Sequence, residues 1–270
     1  MNELQKITSR DNQRLISARR IRDGHGAGKM FVEGKRLAIE ALRSGLEISE
    51  CFVSERFVQS SENETLLDLV SVSSRFMFEL PDRVFFTIAA TENTQGIVII
   101  AERPHSSAQQ IERRLADNSV LPVVLVLFEI NNPSNLGAVL RTAEAVNVAG
   151  VIITRNSTDV YSPKALRAAM GAAFRIPVWT EASYDLALEW AREHRLATTA
   201  TIVAHCQAYT ELDWKMPRLL IFGSESHGLG PSELASVEQH IRIPMENDVE
   251  SLNIAVAAGI VMFEAKRQND

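Results

Sequence analysis

The residues best suited to chemistry lie in the last fifty positions of the 270-residue chain. An apolar run at 219–222 opens into Gly-Ser-Glu-Ser-His-Gly-Leu-Gly at 223–230. A second short run, 241–243, opens into a polar loop that ends in Ser251 and Asn253 at the start of an apolar helix. Two neighbouring strand ends that each release a polar loop build a ligand crevice at the carboxyl edge of an α/β sheet. Glu225, Ser251 and Asn253 would bring a carboxylate, a hydroxyl and an amide to that edge, a set suited to orienting a polar substrate. This points to an enzyme or a cofactor-binding domain.

Two further segments carry polar groups toward the same edge. In NNPSNLGAVLRTAEA (131–145), which follows an uninterrupted apolar strand at 121–128, Pro133 and Ser134 turn the chain, Asn135 is read as the helix cap, and Arg141 lies six residues on. Taken alone this is a capped helix with an exposed arginine. In SPKALRAAMGAAFRIPV (162–178), Arg167 and Arg175 flank a helix of very small residues. Close packing of Ala168, Ala169, Gly171 and Ala172 accounts for the small side chains, and one of the two arginines is expected to meet phosphate or substrate. Two glycine clusters fail a nucleotide-binding reading. Gly24, Gly26 and Gly28 follow a basic helix rather than a strand, and the spacing of Gly223, Gly228 and Gly230 is neither a dinucleotide fingerprint nor a P-loop with its lysine. His205, Cys206 and His227 lack metal-ligand spacing, and His227 is read as a loop residue.

Charge is uneven. Residues 1–36 hold nine Lys/Arg against four acids, a net +5, so the remaining 234 residues carry −11 of the total −6. A basic zone on an acidic protein fits contact with phosphates at one place, while a solvated helix face bearing Arg10, Arg14 and Arg20 explains it equally well. Gripping nucleic acid by electrostatics alone calls for a more basic protein. Cys51 and Cys206 form no redox motif and are expected to be reduced thiols of a cytosolic protein, Cys206 buried in the strand reading TIVAHC. No apolar run approaches the ~20 residues of a membrane span. The first residues lack a signal-peptide core, and Glu3 and Asp11 among the bases weigh against a transit peptide.

The elements that must position these residues alternate helix and strand. The first hundred residues predict a basic helix at 13–22, a helix over FVEGKRLAIEALRSG stopped by Gly45, and strands at SECFVS, FMFEL and GIVIIAER. Helices are expected at 66–72 and over PDRVFFTIAA. Residues 104–118, polar and opened by Pro104 and a serine pair, read as a linker or surface helix. A second run follows, with strands LPVVLVLF, GVIIT, RIPVW, TTATIVA and RLLIF and helices at 136–146, 164–173 and 184–194. The closing helix ESLNIAVAAGIVMFEAKRQ is apolar almost all round, which suggests a subunit interface as well as a core.

Taken together these pieces resemble the SpoU (TrmH-type) RNA 2′-O-ribose methyltransferases of the SPOUT superfamily. The first motif of that family stands here as Asn135, Leu136, Gly137 and Arg141, the second as Gly223, Ser224, Glu225, Gly228 and Leu229, and the third as Ile243, Pro244, Met245 followed by Ser251, Leu252 and Asn253. The match covers roughly residues 120–268. The N-terminal part looks like the ribosomal-protein-L30e-like substrate-binding domain often fused to this family, with FVEGKRLAIEAL as its opening. The resemblance implies an α/β protein with an L30e-like RNA substrate-binding domain at 1–103, a linker at 104–118 and a trefoil-knotted SPOUT methyltransferase domain at 119–270. It implies S-adenosylmethionine (SAM) held around Leu220, Gly223, Ile243, Met245, Leu252 and Ala257. It also implies a homodimer through the last helix and catalysis by Arg141 with Asn135, Glu225, Ser251 and Asn253. Departures from the family pattern are few: His227 stands where a glycine is common, and the third motif's loop reads MENDVESLN, with Asn247 at another such position and the acids Glu246, Asp248 and Glu250 nearby.

RNA contact is expected from Arg19, Arg20, Arg22, Lys35, Arg36, Arg167 and Arg175. The function implied is SAM-dependent ribose methylation of structured RNA, ribosomal RNA first and transfer RNA second, in the cytoplasm and with no metal. The alternatives are a non-catalytic RNA-binding assembly factor on the same fold and a SAM enzyme acting on a base or a small molecule.

Overall fold

Apolar runs with no polar alternation fold as strands covered on both faces, and two such sheets organise the protein. The computed structural model describes residues 4–26, 28–203, 206–247 and 249–270. Glu3, Ala27, Ala204, His205 and Asp248, which enter some of the sequence-based expectations, lie outside them. The chain forms two compact units, Met1–His105 with Asp159–Phe174, and Ser106–Thr158 with Arg175–Asp270.

In the first unit the strands are β1 (Leu4–Lys6), β2 (Lys29–Glu33), β3 (Ile48–Ser54), β4 (Ser74–Leu80) and β5 (Ile97–Glu102), in the order β1-β4-β3-β5-β2. Helices α1 (Gln13–Arg22), α2 (Lys35–Arg43), α3 (Glu55–Gln59), α4 (Glu64–Ser73) and α5 (Asp82–Phe85) connect them. Phe31, Phe52, Phe78, Val98 and Ile100 fill one core cluster with Leu15 of α1. The second unit adds α6 (Ala108–Leu115), β6 (Leu121–Leu127), α7 (Pro133–Ala145) and β7 (Val148–Thr154). After α8 (Pro163–Ala169) and α9 (Ala172–Arg175) it continues with β8 (Val178–Ala182), α10 (Tyr184–Glu193), β9 (Ala197–Thr201), β10 (Gln207–Ala208), β11 (Arg218–Phe222), α11 (Pro231–Ala235), β12 (Gln239–Arg242) and α12 (Ile254–Asn269). Its sheet runs β10-β12-β9-β11-β6-β7-β8, and the paired strands are parallel throughout. Val123 to Leu127 of β6 are fully buried, each side chain contributing about 1.5–3 kcal/mol by leaving water.

Several elements differ from the sequence-based expectation for local reasons. Residues 31–33 of FVEGKRLAIEAL belong to β2, and Gly34, at φ +106°, turns the chain into α2. Only Asp82–Phe85 of PDRVFFTIAA is helical. The helix expected at 164–173 breaks at Met170 and Gly171, both in the left-handed region (φ +52° and +95°); a side chain at Gly171 would strike Glu40. Residues 104–118 contain α6, whose Ile111 is fully buried in the second unit's core. The helix cap before α7 is Asn132, whose side chain accepts from Ser134 N at 2.9 Å, and not Asn135.

The segment Asp159–Phe174 follows β7 in sequence but packs with the first unit. Arg103 clamps it, donating through both terminal nitrogens to the Asp159 carboxylate (3.2 and 2.6 Å) and lying 5.2 Å from the centre of the Tyr161 ring. Burial pushes the Tyr161 hydroxyl up to about 12. Among the described residues, no helix is long and apolar enough to cross a membrane.

Cys206, expected inside a strand, lies beyond β9 and is partly exposed, whereas Cys51 in β3 is fully buried. Burial pushes the Cys51 thiol up to about 12 and, more weakly, raises that of Cys206. Since the thiolate is the nucleophile, iodoacetamide at pH 8 is expected to add one label to the native protein, at Cys206, and a second only after unfolding in guanidinium, as read by mass spectrometry. Two labels on the native protein would contradict the buried placement of Cys51.

Candidate active site

Because β12, β9, β11 and β6 are successive parallel neighbours, their carboxyl ends share one edge of the sheet. The loops they release enclose a cavity of about 530 Å³, within the range of small-molecule sites. Its wall includes Gly223, Ser224 and Glu225 after β11, Ile243 and Met245 after β12, and Ser251, Leu252 and Asn253 ahead of α12, with Asn135 and Ala257 from α7 and α12. Thr201, Ile202 and Val203, at and beyond the end of β9, also line it.

The glycine loop is built tightly. Ser224 and Gly228 exchange both backbone hydrogen bonds (3.1 and 2.9 Å), closing a small turn with Gly228 at φ +66°. A side chain at Gly223 would run into the Gly228 backbone and come within 2.6 Å of the Leu229 nitrogen. Just beyond, Tyr184 donates its hydroxyl to the Glu233 carbonyl at 3.0 Å, tying α10 to α11. Burial pushes this hydroxyl up to about 12, so it stays a neutral donor.

A polar network joins the loops at the cavity. Glu225 accepts from the backbone N–H groups of Asn131 (3.2 Å) and Asn132 (3.3 Å) through Oε2, and from Asn135 Nδ2 at 2.6 Å through Oε1. The other end of that amide, Asn135 Oδ1, accepts from Asn253 Nδ2 at 3.1 Å. Asn253 in turn caps α12 by accepting from Ala255 N at 2.9 Å. Every polar atom of the Asn135 amide is thereby directed: its NH₂ end toward a carboxylate, its oxygen toward an amide donor. Capping by Asn132 leaves Asn135 available for this.

Of the residues singled out by sequence, Asn135, Glu225, Ser251 and Asn253 converge on the cavity, as do Gly223, Ile243, Met245, Leu252 and Ala257. Leu220 sits fully buried inside β11, away from the wall. Arg141 is exposed on α7 and is not among the lining residues. Thr201, Ile202 and Val203 had no sequence signal, because nothing local says that β9 lies between β11 and β12.

The basic residues divide. Arg22 donates to the carbonyls of Thr87, Ile88 and Ala89 (3.1–3.3 Å) and holds the Asp23 carboxyl below its usual range. Arg19 donates to Thr87 Oγ1 and to the Arg10 carbonyl, and Arg175 pairs with Glu144. Arg14, on the same helix, pairs with Glu50 and stacks over Phe76 and Phe78. Much of the N-terminal basic cluster therefore holds structure together, while Arg20 and Arg36 are exposed and Lys35 and Arg167 line cavities of the first unit.

A parallel α/β sheet carrying a ligand cavity and a directed carboxylate–amide network at its carboxyl edge defines a ligand-binding α/β domain of the kind enzymes use. Residues 122–263 match the SpoU rRNA Methylase family, and residues 4–99 match the MRM3-like substrate binding domain. The chain is 31% identical, over 99% of its length and 95% of the relative's, to an uncharacterized tRNA/rRNA methyltransferase of Synechocystis sp.. It is 25% identical to the mitochondrial rRNA methyltransferase 3 of Mus musculus, over 94% of this chain and 70% of that one. Among solved structures, an AdoMet-bound rRNA methyltransferase from Sinorhizobium meliloti superimposes with a TM-score of 0.82 at 28% identity, covering 98% of both chains. The chain belongs to the SpoU RNA methyltransferase family.

Since a methyl group at Gly223 has no room, Gly223→Ala is expected to force the 223–229 turn apart and destabilise the protein by roughly 1–3 kcal/mol. A lowered midpoint in a thermal melt, with faster proteolysis within 223–230, is the expected result; an unchanged melt and cleavage pattern would show that the turn yields freely.

Proposed function

We propose that the protein transfers a methyl group from SAM to a ribose 2′-hydroxyl of structured RNA, ribosomal RNA first and transfer RNA second. The observation that carries this reading is the Glu225–Asn135–Asn253 network standing on a cavity walled by Gly223, Ile243 and Leu252. The site fits SAM in size and in kind. About 530 Å³ is available, and the wall mixes apolar side chains such as Ile243, Leu252 and Ala257 with polar ones such as Ser224, Ser251 and Asn253. Gly223, Ile243, Met245, Leu252 and Ala257 would hold it, with Leu220 behind them in β11. Bound there, SAM supplies an electrophilic methyl group.

The chain's own residues have the task of presenting one hydroxyl to that group, and positioning supplies much of the rate. Asn135, fixed at both ends of its amide, and Asn253 orient the ribose or the groups that touch it. Glu225 sets the direction of Asn135, and Ser251 offers a hydroxyl at the cavity wall. A guanidinium is effectively never deprotonated. Arg141 therefore acts as a clamp on the ribose phosphate whose charge eases loss of the hydroxyl proton, and another group accepts that proton.

The RNA is received by the N-terminal L30e-like domain, residues 1–103, and the knotted methyltransferase domain, residues 119–270, carries the chemistry. A homodimer through α12 is supported by Val256 and Phe263, apolar side chains that stay 51% and 55% exposed on that helix. The two unpaired thiols suit a reducing compartment such as the cytosol.

Labelled methyl from SAM is expected to enter either unmodified ribosomal RNA or transfer RNA, in a form that survives base removal and blocks alkaline cleavage. Arg141→Ala is expected to lower turnover by about 100-fold or more, and Asn135→Ala by about 10- to 100-fold, with SAM affinity within a few-fold of wild type. Label lost with the base would move the acceptor to a nucleobase. SAM binding without transfer to either RNA would point to another acceptor, and absence of both would leave an RNA-binding factor.

A further inference from the structure

The first unit carries two cavities that the reaction centre does not use, and they share one residue. Gln95 lines both. One, of about 370 Å³, is lined by Gly34, Arg36, Asn93 and Arg167 among others; the second, of about 260 Å³, is lined by Lys35, Arg56, Phe57 and Phe86. Gln95 is held in place as a partition: its Oε1 accepts from Lys35 N at 2.8 Å, and a side chain at Gly34 would approach that oxygen to 3.0 Å.

The charges in these cavities are unequal in availability. Glu33, in the larger one, has both carboxylate oxygens engaged, by Ala90 N and by Thr91 Oγ1, each at 2.8 Å. Asp82, in the smaller one, takes the backbone N–H and the guanidinium of Arg56. The acids thus have partners within the fold. On the basic side, Nη1 of Arg167 is buried with no hydrogen-bond partner, and Arg36 is exposed. A buried guanidinium N–H without an acceptor is costly unless a ligand provides one. Phe86 adds an apolar ring 52% exposed at the smaller cavity, and Lys35 Nζ lies 5.7 Å from the Phe57 ring centre. Spare guanidinium donors, a carboxamide partition and an exposed ring in adjoining cavities match unpaired nucleotides, whose phosphates need cations and whose bases need a face to stack on. A duplex hides its base faces and would use only the charges.

We propose that these two cavities take successive nucleotides of an unpaired stretch of the substrate RNA, with Arg36 and Arg167 on the backbone phosphate and Phe86 under a base. The proposal rests on the RNA-methyltransferase reading for its ligand but names a site remote in sequence from the methyl-transfer motifs. Arg167 comes from the Asp159–Phe174 segment, so a residue from the later part of the chain completes a substrate pocket built on β2 and α2.

The test is equilibrium binding of the full chain, without SAM, to fluorescein-labelled U12, A12 and the A12·U12 duplex across a salt series. Wild type is expected to bind at least one single strand about tenfold more tightly than the duplex. Phe86→Ala should weaken single-strand binding about 5-fold or more while leaving the salt slope unchanged. Arg36→Ala with Arg167→Ala should weaken it and reduce the slope by about 0.7 per lost phosphate contact. Arg192→Ala, at an exposed position of α10, should change affinity less than 2-fold. Thermal melts of each variant separate lost contacts from lost fold, and Arg36→Ala alone, at an exposed position, gives a variant that leaves the core intact. Equal binding of strand and duplex, no binding of any probe, wild-type affinity in the folded variants, or an Arg192→Ala loss matching that of Arg36→Ala would each overturn the site. Methyl transfer scored separately keeps the two readings apart: inactive wild-type protein that still shows this binding pattern sinks the enzyme reading alone, and active protein without it sinks the pocket alone.

Discussion

Parallel pairing in the second unit's sheet is the constraint on which the site depends. Parallel strands need crossover connections, which cover both faces and leave all carboxyl ends on one edge. The loops after β9, β11 and β12 therefore meet although they are separated by up to about forty residues in sequence, and the cavity is the space between them. A single antiparallel neighbour would carry one loop to the opposite edge and remove a wall. The apolar runs of β6 and β11, buried on both faces, supply the hydrophobic free energy that holds this arrangement.

Within that frame the polar chemistry is arranged by very few atoms. Glu225 accepts two backbone N–H groups that precede α7 and one side-chain amide on it, so a loop carboxylate is locked to the start of a helix. Asn253 does two things at once, capping α12 and reaching Asn135. Three loops are thereby fixed relative to one another by hydrogen bonds to groups whose orientation is already set. Such pre-orientation is what a reaction dominated by positioning requires.

Basic residues show how poorly charge count maps onto function. The N-terminal +5 zone suggests a phosphate-binding face, yet Arg14, Arg19 and Arg22 are spent on a carboxylate, a hydroxyl and backbone carbonyls of the same unit. Arg36 and Arg167, which are not tied up in this way, line a cavity with Gln95, and Arg167 arrives there from a segment some seventy residues further along the chain. Arginine's five donors and planar shape make it as useful for tying loops together as for binding phosphate, and only the partners tell the two uses apart.

What the sequence determined by itself follows from short-range physics. Apolar runs at 121–128 and 218–222 read as buried strands, residues 223–230 as a polar loop, Asn135 as a helix cap, and Glu225, Ser251 and Asn253 as polar groups brought to one sheet edge, because periodicity and turn chemistry are properties of neighbouring residues. The family resemblance grouped Asn135, Glu225, Ser251 and Asn253, and the cavity holds those four side chains together. The tertiary structure decided the rest: that Asn132 and not Asn135 caps α7, that β9 supplies part of the cavity wall, that the helix after Ser162 breaks at Met170, and that Asp159–Phe174 joins the first unit. Each of these depends on a partner distant in sequence: Glu225 for Asn135, β11 for β9, Glu40 beside Gly171, Arg103 for Asp159. Local sequence sets which groups are available, and the choice of partner is made only when packing brings distant segments within hydrogen-bond reach.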